Sequence, residues 1–480
     1  MAKPKSKKEA PTFVLRPGMH LHLVGIGGAG ISAIARVLLG RGFVVSGSDM
    51  QVNALTAALQ AEGAMIFEGH AAENIAGAEA LVISSAVPES NPEVEAARAA
   101  NIPVLKRADF LGHLMADDIG VAVAGTHGKT TTTGMISQIL LDGKLDPTVI
   151  VGGVLPGLGS NGRFGHGGFF VIEADEYDNM FLGLRPEVAV IMNVEHDHPD
   201  IFPTQESYLA AFADFARLLP QNGRLIANVD DPGVRDLLGR LTLPGVEITT
   251  FSVLGSGRAR PADFQALDVR PNPLGGMDFV VEQEGQLVGL ARLRLPGIHN
   301  VSNALAAIIV ALDAGVDFHI IRQTLADFGG VGRRFQVQGE VGQVTVIDDY
   351  AHHPTEIRAT LAAAQQRFPG RRIWAVWQPH TYSRTKLYLQ EFAASFTDAD
   401  RVVALDIYRS RETDTLGMNT AVVVKAMNHP NAIHIPQRED AAAYILDRVL
   451  PDDVILTLGA GDGHAVGEWI LQGLKQRLGN

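Results

Sequence analysis

The chain has 480 residues, a length typical of about three domains, and 46% of them are hydrophobic, so sizeable cores can form. The formal charge of −13 argues against general binding to nucleic acid, although it still allows local basic pockets for small anions. Cysteine is absent, which excludes disulfides, thiolate metal sites and cysteine nucleophiles.

The N-terminal elements predict a Rossmann-like domain that ends near residue 117. Residues 1–12 are Lys-rich, but no continuous apolar segment follows, so we expect a loose tail on a cytoplasmic protein and not a signal peptide. "LHLVGIGGAGISAIA" (21–35) combines a strand, a glycine turn and a helix, and its polar residues His22 and Arg36 argue against a membrane span. "FVVSGSD", "ALVISSAV" and "IPVLKR" then continue a doubly wound parallel sheet.

The glycine turn matches a dinucleotide-binding fingerprint. Gly25, Gly27 and Gly30 have the Gly-x-Gly-x-x-Gly spacing, and Asp49 follows 19 residues after Gly30. Taken alone, this motif predicts an NAD-dependent dehydrogenase.

A second α/β pattern begins near residue 119 with a phosphate-binding loop. In "VAVAGTHGKTTT" a buried strand ends at Gly125, and Gly128 and Lys129 open a helix whose amides and lysine suit a triphosphate. Thr130 can reach Mg²⁺. Val123 stands where the full P-loop has a glycine, so the loop is a shorter variant.

Polar side chains follow two later strands of this unit, at "FFVIEADEYD" and "VIMNVEHDH". The side chains concerned are Glu173, Asn193, Glu195, His196, Asp197 and His198. Strand ends of a parallel sheet meet at one crevice, and oxygen ligands with one imidazole suit Mg²⁺ sites, so we expect them beside the phosphate loop.

In residues 250–296 apolar and polar residues alternate, and turn-forming residues are frequent. This pattern predicts antiparallel strands and hence a mixed central sheet. A helix follows at "GIHNVSNALAA". Asn300 near its start suits either an N-cap or, together with His299, contacts to adenine, and the pattern does not decide between them.

A third α/β unit begins after "GRRF", where Arg333 and Arg334 stand at the predicted junction. An arginine at such a hinge can reach a γ-phosphate when the domains close. Polar residues again follow the strands of this unit, and these residues are Asp348, Asp349, Tyr350, His352, His353, His380, Tyr382 and Arg384. An arginine among them suits a substrate with a carboxylate.

Together these motifs resemble the Mur ligase family of peptidoglycan synthesis. "GTHGKTTT", "EADEYD", "NVEHDH", "HNVSNALAA", "GVGRRF", "DDYAHHPTE" and "LGAGD" occur in order over almost the whole chain. The resemblance implies three domains: residues 1–117 for a UDP-sugar, 118–333 for ATP and 334–480 for an amino acid. The "HLVGIGGAGISAIARVL" and "QPHTYSRT" motifs resemble the branch that joins L-alanine to the lactyl carboxylate of UDP-N-acetylmuramate, through an acyl phosphate, as a monomer or dimer.

The resemblance also implies roles for individual residues. ATP is expected at Gly125, Thr126, His127, Gly128, Lys129, Thr130, Thr131, His299, Asn300, Arg334 and the pair Asp348 and Asp349, one of which takes the ribose. The UDP-sugar is expected at Gly25, Gly27, Gly28, Gly30, Ser48, Asp49 and His70. The amino acid is expected at Tyr350, His352, His380 and Arg384. Magnesium, as two ions during catalysis, is expected at Thr130, Glu173 and His198. Catalytic roles are expected for Lys129, His198, Arg334 and His352.

Three alternatives stay open. "EADEYD" and "EHDHPDIF" also resemble the recycling ligase of the family, which adds a tripeptide, and Thr381 stands where many relatives have arginine. An NAD-dependent oxidoreductase would leave the Gly-Lys-Thr loop and the polar strand ends unexplained. A non-catalytic, nucleotide-gated binding module would bind ATP without releasing phosphate.

Overall fold

Three β-sheets follow one another along the chain, each flanked by helices. The computed structural model describes residues 13–253 and 261–479, so the predicted tail at residues 1–12 lies outside the described residues. The α/β class is confirmed, with largely parallel first and last sheets and a mixed central sheet. No helix in the described ranges is long and apolar enough to cross a membrane.

The first sheet has the strand order β3-β2-β1-β4-β5, and all of its pairs are parallel. Its elements are β1 His20–Val24, α1 Ala29–Gly40, β2 Val44–Asp49, α2 Ala54–Ala61, β3 Met65–Glu68, β4 Ala80–Ile83, α3 Pro92–Ala99, β5 Val104–Lys106 and α4 Arg107–Leu114. The order reverses between β1 and β4, and the loops after these strands therefore border the crevice where such folds bind ligands.

The central sheet has the order β15-β14-β13-β12-β11-β10-β6-β9-β7-β8. Its elements are β6 Ile119–Ala124, α5 Lys129–Asp142, β7 Thr148–Leu155, β8 Ser160–Arg163, β9 Phe169–Glu173, β10 Val188–Ile191, α6 Gln205–Ala216, β11 Arg224–Asn228, α7 Pro232–Arg240, β12 Glu247–Ser252, β13 Phe264–Pro271, β14 Met277–Gln283, β15 Gln286–Arg292, α8 Ile298–Asp313 and α9 Phe318–Asp327. The antiparallel pairs β13–β14 and β14–β15 match the expectation for residues 250–296. Strand β6 lies between β10 and β9, so the phosphate loop and both polar strand ends share one edge.

The last sheet has the order β16-β17-β21-β18-β19-β20, and only the pair β16–β17 is antiparallel. Its elements are β16 Gln336–Val341, β17 Val344–Asp349, α10 Pro354–Arg367, β18 Ile373–Trp377, α11 Tyr382–Leu387, α12 Leu389–Ala393, β19 Arg401–Ala404, α13 Thr420–Ala426, β20 Ala432–His434, α14 Arg438–Leu446, β21 Val454–Leu458 and α15 Ala465–Arg477. Every residue of "IWAVW" in β18 is buried, as expected for a strand covered on both faces.

Helix α1 connects the first two sheets through a shared core. Its residues Ile31 and Ile34 belong to the same buried cluster as Ile150 and Phe170 of the central sheet. Because apolar surface on both sides is removed from water, the glycine turn before α1 is held in place against the central sheet.

Candidate active site

The glycine turn lies at the carboxyl end of β1, and Gly25 adopts a positive φ of 83° there. Gly28 is the N-cap of α1, and a glycine leaves the first helical amides free to face an anion. The Asp49 carboxylate accepts a hydrogen bond of 2.8 Å from the Gly27 amide. In this structure Asp49 therefore holds the turn itself, and its expected contact with the UDP-sugar stays a prediction.

Ser48 and His70, which are both expected to bind the UDP-sugar, contact a third residue, Glu93, that the sequence did not reveal. Ser48 is fully buried and donates to the Glu93 carboxylate at 2.6 Å, while His70 Nδ1 lies 3.2 Å from the same oxygen. Burial opposes ionisation, but His22, 3.7 Å away, and hydrogen bonds from Ser48 and Asn74 outweigh it and lower the pKa of Glu93 to about 2. Ser48 is thus placed to hold His70 and Glu93, and its own hydroxyl does not reach the surface.

The phosphate loop connects β6 to α5 and encloses the amine of Lys129. Nζ donates to the carbonyl oxygens of Gly125 at 2.6 Å and Thr126 at 3.2 Å. It also pairs with Glu176 at 2.8 Å, a carboxylate whose side chain is 1% exposed. Gly128 has a positive φ of 83°, and a Cβ there would lie 2.5 Å from Asn303 Oδ1, so the turn requires glycine.

Glu176 is a functional candidate that the sequence analysis did not single out. Besides Lys129, it accepts from the Tyr208 hydroxyl at 3.2 Å and lies 3.6 Å from His198 Nε2. Burial opposes its charge, but Lys129 and His198 outweigh that effect and lower the pKa of Glu176 to about 2. Its carboxylate therefore balances the charge of Lys129.

The predicted magnesium ligands divide between two neighbouring places. Thr130 Oγ1 donates to Glu173 Oε1 at 3.0 Å, and the Gly152 amide donates to Oε2 at 2.7 Å. A hydroxyl beside a carboxylate is an oxygen donor set that suits Mg²⁺. His198 lies 3.6 Å from Glu176, the carboxylate that also pairs with Lys129.

A cavity of about 380 Å³ lies between the central and the last sheet, next to the phosphate loop. Seven of the predicted ATP residues line it: His127, Gly128, Thr131, His299, Asn300, Arg334 and Asp349. The lining also includes Asn228, Asp230, Asp231 and Asn303, which the sequence analysis did not select. The remaining residues expected at ATP near the loop lie next to these lining residues in the chain: Gly125, Thr126, Lys129 and Thr130.

The N-cap interpretation of Asn300 is wrong. Gly297 is the N-cap of α8, and Asn300 lies in the first turn, where its amide donates to the Pro296 carbonyl at 2.8 Å. Asn300 Oδ1 in turn accepts from Asn303 at 3.1 Å. Burial lowers the pKa of His299 to about 4, so a neutral imidazole lines the cavity near neutral pH.

At the junction, the neighbouring arginines Arg333 and Arg334 have different partners, and only one of the neighbouring aspartates Asp348 and Asp349 lines the cavity. Arg333 pairs with Asp348 at 3.0 Å, and Asp348 is 2% exposed and outside the cavity lining. Arg334 and Asp349 line the cavity instead, with Arg334 3.7 Å from Glu356. Burial raises the pKa of Asp349 to about 6 despite the nearby Arg334. Of the two aspartates, Asp349 therefore lies where a nucleotide in the cavity could reach it, and which of them takes the ribose stays a prediction.

The four residues expected to bind the amino acid lie together. The rings of His352 and Tyr350 are 5.4 Å apart, those of His352 and His380 are 5.9 Å apart, and Arg384 Nη1 lies 3.1 Å from His380 Nδ1. Arg384, however, donates hydrogen bonds from Nε and Nη2 to the carboxylate of Asp197, at 2.8 and 3.2 Å. Both side chains of this pair are under 5% exposed, so Asp197 already neutralises the positive charge of the guanidinium.

Thr381, at the edge of the expected amino-acid pocket, has a backbone conformation that β-branched residues rarely adopt. Its φ is 68° and its ψ is 146°, at the N-cap of α11. The backbone is held there because the Thr381 amide donates to the Tyr408 carbonyl, and the Thr381 carbonyl accepts from the Thr385 hydroxyl at 2.6 Å. Strain of this kind is common at binding sites.

Ion pairs and hydrogen bonds join the central and last sheets across the site. His127 lies 2.9 Å from Glu195 and 3.2 Å from Glu356, and Thr355 donates to Glu195 at 2.7 Å. Donor atoms of His127, Glu195 and His353 all lie within 4.8 Å of one another, as in a metal site. Because hydrogen bonds already satisfy Glu195, we interpret this group as an interdomain contact. Glu356, the carboxylate at its centre, was not selected from the sequence.

We expect His127 to make stability depend on pH. Burial opposes its charge, but Glu356 and Glu195 outweigh burial and raise the pKa of His127 to about 9. The contribution of His127 is thus complete below its unfolded value of about 6.5 and is lost as pH rises through about 9. In urea unfolding, the free energy of unfolding of wild type should be about 2–3 kcal/mol higher than that of His127→Gln at pH 7. This difference should shrink at pH 10.

The matched control for that experiment is His319→Gln, because His319 is exposed on α9. It should leave the free energy of unfolding unchanged at both pH values. A difference for His127→Gln that is equal at pH 7 and pH 10 would contradict the assignment.

Comparisons with known proteins agree with this arrangement. Models of the Mur ligase family match residues 20–118 (catalytic domain), 123–311 (middle domain) and 333–461 (glutamate ligase domain). The chain is 45% identical over 446 residues to the UDP-N-acetylmuramate–L-alanine ligase of Salinibacter ruber, covering 92% of each chain. It is 45% identical over 461 residues to that of Geobacter sp. (strain M21), covering 95% of this chain and 97% of the relative.

Solved structures show the same relationship. The UDP-N-acetylmuramate–alanine ligase of Thermotoga maritima matches with a TM-score of 0.79 at 28% identity, covering 96% of this chain and 100% of that one. A murein peptide ligase of Psychrobacter arcticus matches with a TM-score of 0.70 at 26% identity, covering 95% and 99%. With three family models in order over most of its length, this chain belongs to the Mur ligase family.

Proposed function

We propose that the protein joins L-alanine to the lactyl carboxylate of UDP-N-acetylmuramate with hydrolysis of ATP to ADP and phosphate. One observation carries this proposal: the phosphate loop and the expected amino-acid pocket meet across a single interface, where His127 contacts Glu356 and Asp197 contacts Arg384. The 45% identity to relatives named for this activity supports the choice of substrates.

The three sheets suggest a division of labour. Residues 1–117 would bind the UDP-sugar on the glycine turn, residues 118–333 would bind ATP, and residues 334–480 would bind alanine. Substrates on separate domains react only when the domains close, which brings the reacting atoms together and excludes water. ATP and UDP-sugars are cytoplasmic metabolites, so we place the reaction in the cytoplasm.

In the first step the lactyl carboxylate attacks the γ-phosphorus, giving an acyl phosphate and ADP. This chemistry depends on neutralising charge more than on an elaborate base. Lys129 would leave Glu176 to contact the outer phosphates, and Arg334 would reach them from the cavity wall. Thr130 and Glu173 would hold Mg²⁺, with His198 at a second ion, and the metal would supply further charge neutralisation.

In the second step the alanine amine attacks the acyl carbon and phosphate leaves. An α-amine has a pKa of about 8, so part of it is neutral near pH 7 without a strong base. Burial lowers the pKa of His352 to about 4, and its Nδ1 donates to the Tyr350 carbonyl at 3.0 Å. The lone pair of Nε2 is then free to accept a hydrogen bond, which makes His352 a residue that positions the amine.

The test is phosphate release by the full-length protein with ATP, Mg²⁺ and UDP-N-acetylmuramate, with L-alanine, glycine, L-serine or the tripeptide supplied separately. Release that is fastest with L-alanine supports the proposal. Preference for the tripeptide would assign the recycling activity, which the similarity to the Psychrobacter murein peptide ligase makes the relevant competitor. ATP binding without release in any arm would indicate a nucleotide-gated binding module.

A further inference from the structure

Arg107 lies between the glycine turn and the phosphate-transfer centre. It is the first residue of α4 and directly follows β5 of the first sheet. A Cβ added to Gly30 would overlap its guanidinium, so the guanidinium packs directly against this position of the turn. On its other side, Nη2 lies 3.4 Å from Asp175, two residues after Glu173.

The hydrogen-bonding capacity of Arg107 is largely unused. A guanidinium has five N–H donors, yet Nε of Arg107 is buried with no hydrogen-bond partner among the described residues, and the contact with Asp175 is at the limit of a hydrogen bond. Other first-domain arginines are well paired: Arg36 binds Glu62 at 2.9 Å and Asn161 at 2.6 Å, and Arg41 binds the Leu114 carbonyl at 2.7 Å. Leaving donors buried and unpaired costs free energy, which a ligand can recover.

The surroundings of Arg107 favour an anion. Its side chain is 20% exposed, so the guanidinium can be reached from the crevice. Burial lowers the pKa of Arg107 from its usual value, and the carboxylates of Asp175 and Glu173 partly compensate. The group remains a cation near neutral pH because arginine titrates so far above it. Asp175, at 40% exposure, can turn to solvent when a better partner arrives.

We propose that Arg107 binds an anionic group of the sugar nucleotide, either a diphosphate oxygen or the lactyl carboxylate, and so connects the first-domain substrate to the phosphate-transfer centre; this rests on the proposed function. Either group accepts two parallel N–H bonds from a guanidinium fork. Arg107 contacts Gly30 of the turn, and Asp175 follows Glu173, which contacts Thr130. An anion on Arg107 is therefore held next to both sites.

The experiment measures binding to the full-length protein by calorimetry, with UDP-N-acetylmuramate, UDP-N-acetylglucosamine and UDP as probes. Arg107→Ala should weaken the binding of UDP-N-acetylmuramate by about 10- to 100-fold, the range expected for loss of hydrogen bonds to charged groups. Equal losses for all three probes identify the diphosphate as the partner. A loss confined to UDP-N-acetylmuramate identifies the lactyl carboxylate, which the other two lack.

Further variants separate ligand binding from folding. Arg107→Lys keeps the charge without the fork and should recover part of the affinity. Asp175→Asn removes the carboxylate that contacts Arg107 and should leave binding unchanged or tighter. An equal loss in Asp175→Asn and Arg107→Ala would show a structural pair and overturn the proposal. Arg98→Ala, an exposed arginine of α3 paired with Glu89, is the matched control and should bind all probes like wild type.

The two hypotheses fail differently. If wild type releases phosphate with alanine but Arg107→Ala binds all three probes normally, the role of Arg107 is wrong and the proposed function stands. If wild type shows no turnover while its binding of the sugar nucleotide depends on Arg107, the proposed function fails and the binding role stands.

Discussion

Replacing Lys129 with alanine is expected to reduce phosphate release by about 1000-fold or more, because the variant loses the cation that we propose to neutralise the transferring phosphate. The binding of UDP-N-acetylmuramate should be nearly unchanged, since we propose that this ligand binds at the glycine turn of the first sheet and not at the phosphate loop. Phosphate release at saturating alanine, with calorimetry of the UDP-sugar alongside it, checks both halves of this prediction.

The same substitution should also lower stability, because Lys129 balances the buried Glu176. Removing one partner of a buried pair costs about 3–5 kcal/mol, and the remaining contacts of Glu176 with Tyr208 and His198 should reduce that cost. The double variant Lys129→Ala/Glu176→Gln removes the unpaired charge as well. We expect it to regain most of the stability while remaining inactive, which separates loss of chemistry from loss of fold.

The control is Lys475→Ala, an exposed lysine of α15 far along the chain from the loop. It should retain wild-type activity and stability. Turnover retained by Lys129→Ala would contradict the assignment of this loop to ATP.

Features set by neighbouring residues could be predicted from the sequence. The phosphate loop depends on a strand, a glycine turn and a helix start within about a dozen positions, and Gly125, Gly128 and Lys129 lie as expected. The antiparallel strands β13, β14 and β15 follow from local alternation in the same way. Local rules suffice here because the interactions involved are close in sequence.

The carboxylates at the centres of the buried networks could not be predicted in the same way. Glu93, Glu176 and Glu356 each look like an ordinary surface acid near a helix start. Their importance comes from partners distant in the chain, such as Ser48 for Glu93 and His127 for Glu356. The short strand β8, "SNGR", was missed for a related reason, since it forms only by pairing with β7 and lacks an apolar pattern of its own.

The glycine fingerprint shows how a motif can be right about geometry and wrong about a ligand. The turn, the strand before it and the helix after it form as expected, and they suit a diphosphate. Nothing in those residues specifies nicotinamide. Family membership explains the turn as part of a ligase, and Asp49, which strengthened the dinucleotide interpretation, binds the Gly27 amide.

Replacing Arg384 with alanine is expected to lower the free energy of unfolding by about 3 kcal/mol, because Asp197 would remain buried without its cation. Asp197→Asn should cost a similar amount by leaving Arg384 unbalanced. The double variant Asp197→Asn/Arg384→Met should cost less than the sum of the two, since neither charge then remains. Urea unfolding of the four proteins measures this coupling.

The same variants test whether Arg384 binds the carboxylate of the amino acid. If the guanidinium exchanges Asp197 for the substrate, Arg384→Ala should raise the KM for L-alanine by about 10-fold or more, while Asp197→Asn, which frees the guanidinium, should leave that KM unchanged or lower it. A rise in KM that is equal in both variants would show that the pair acts only by holding the two domains together. Arg409→Ala, an exposed arginine of the same domain, should change neither KM nor stability.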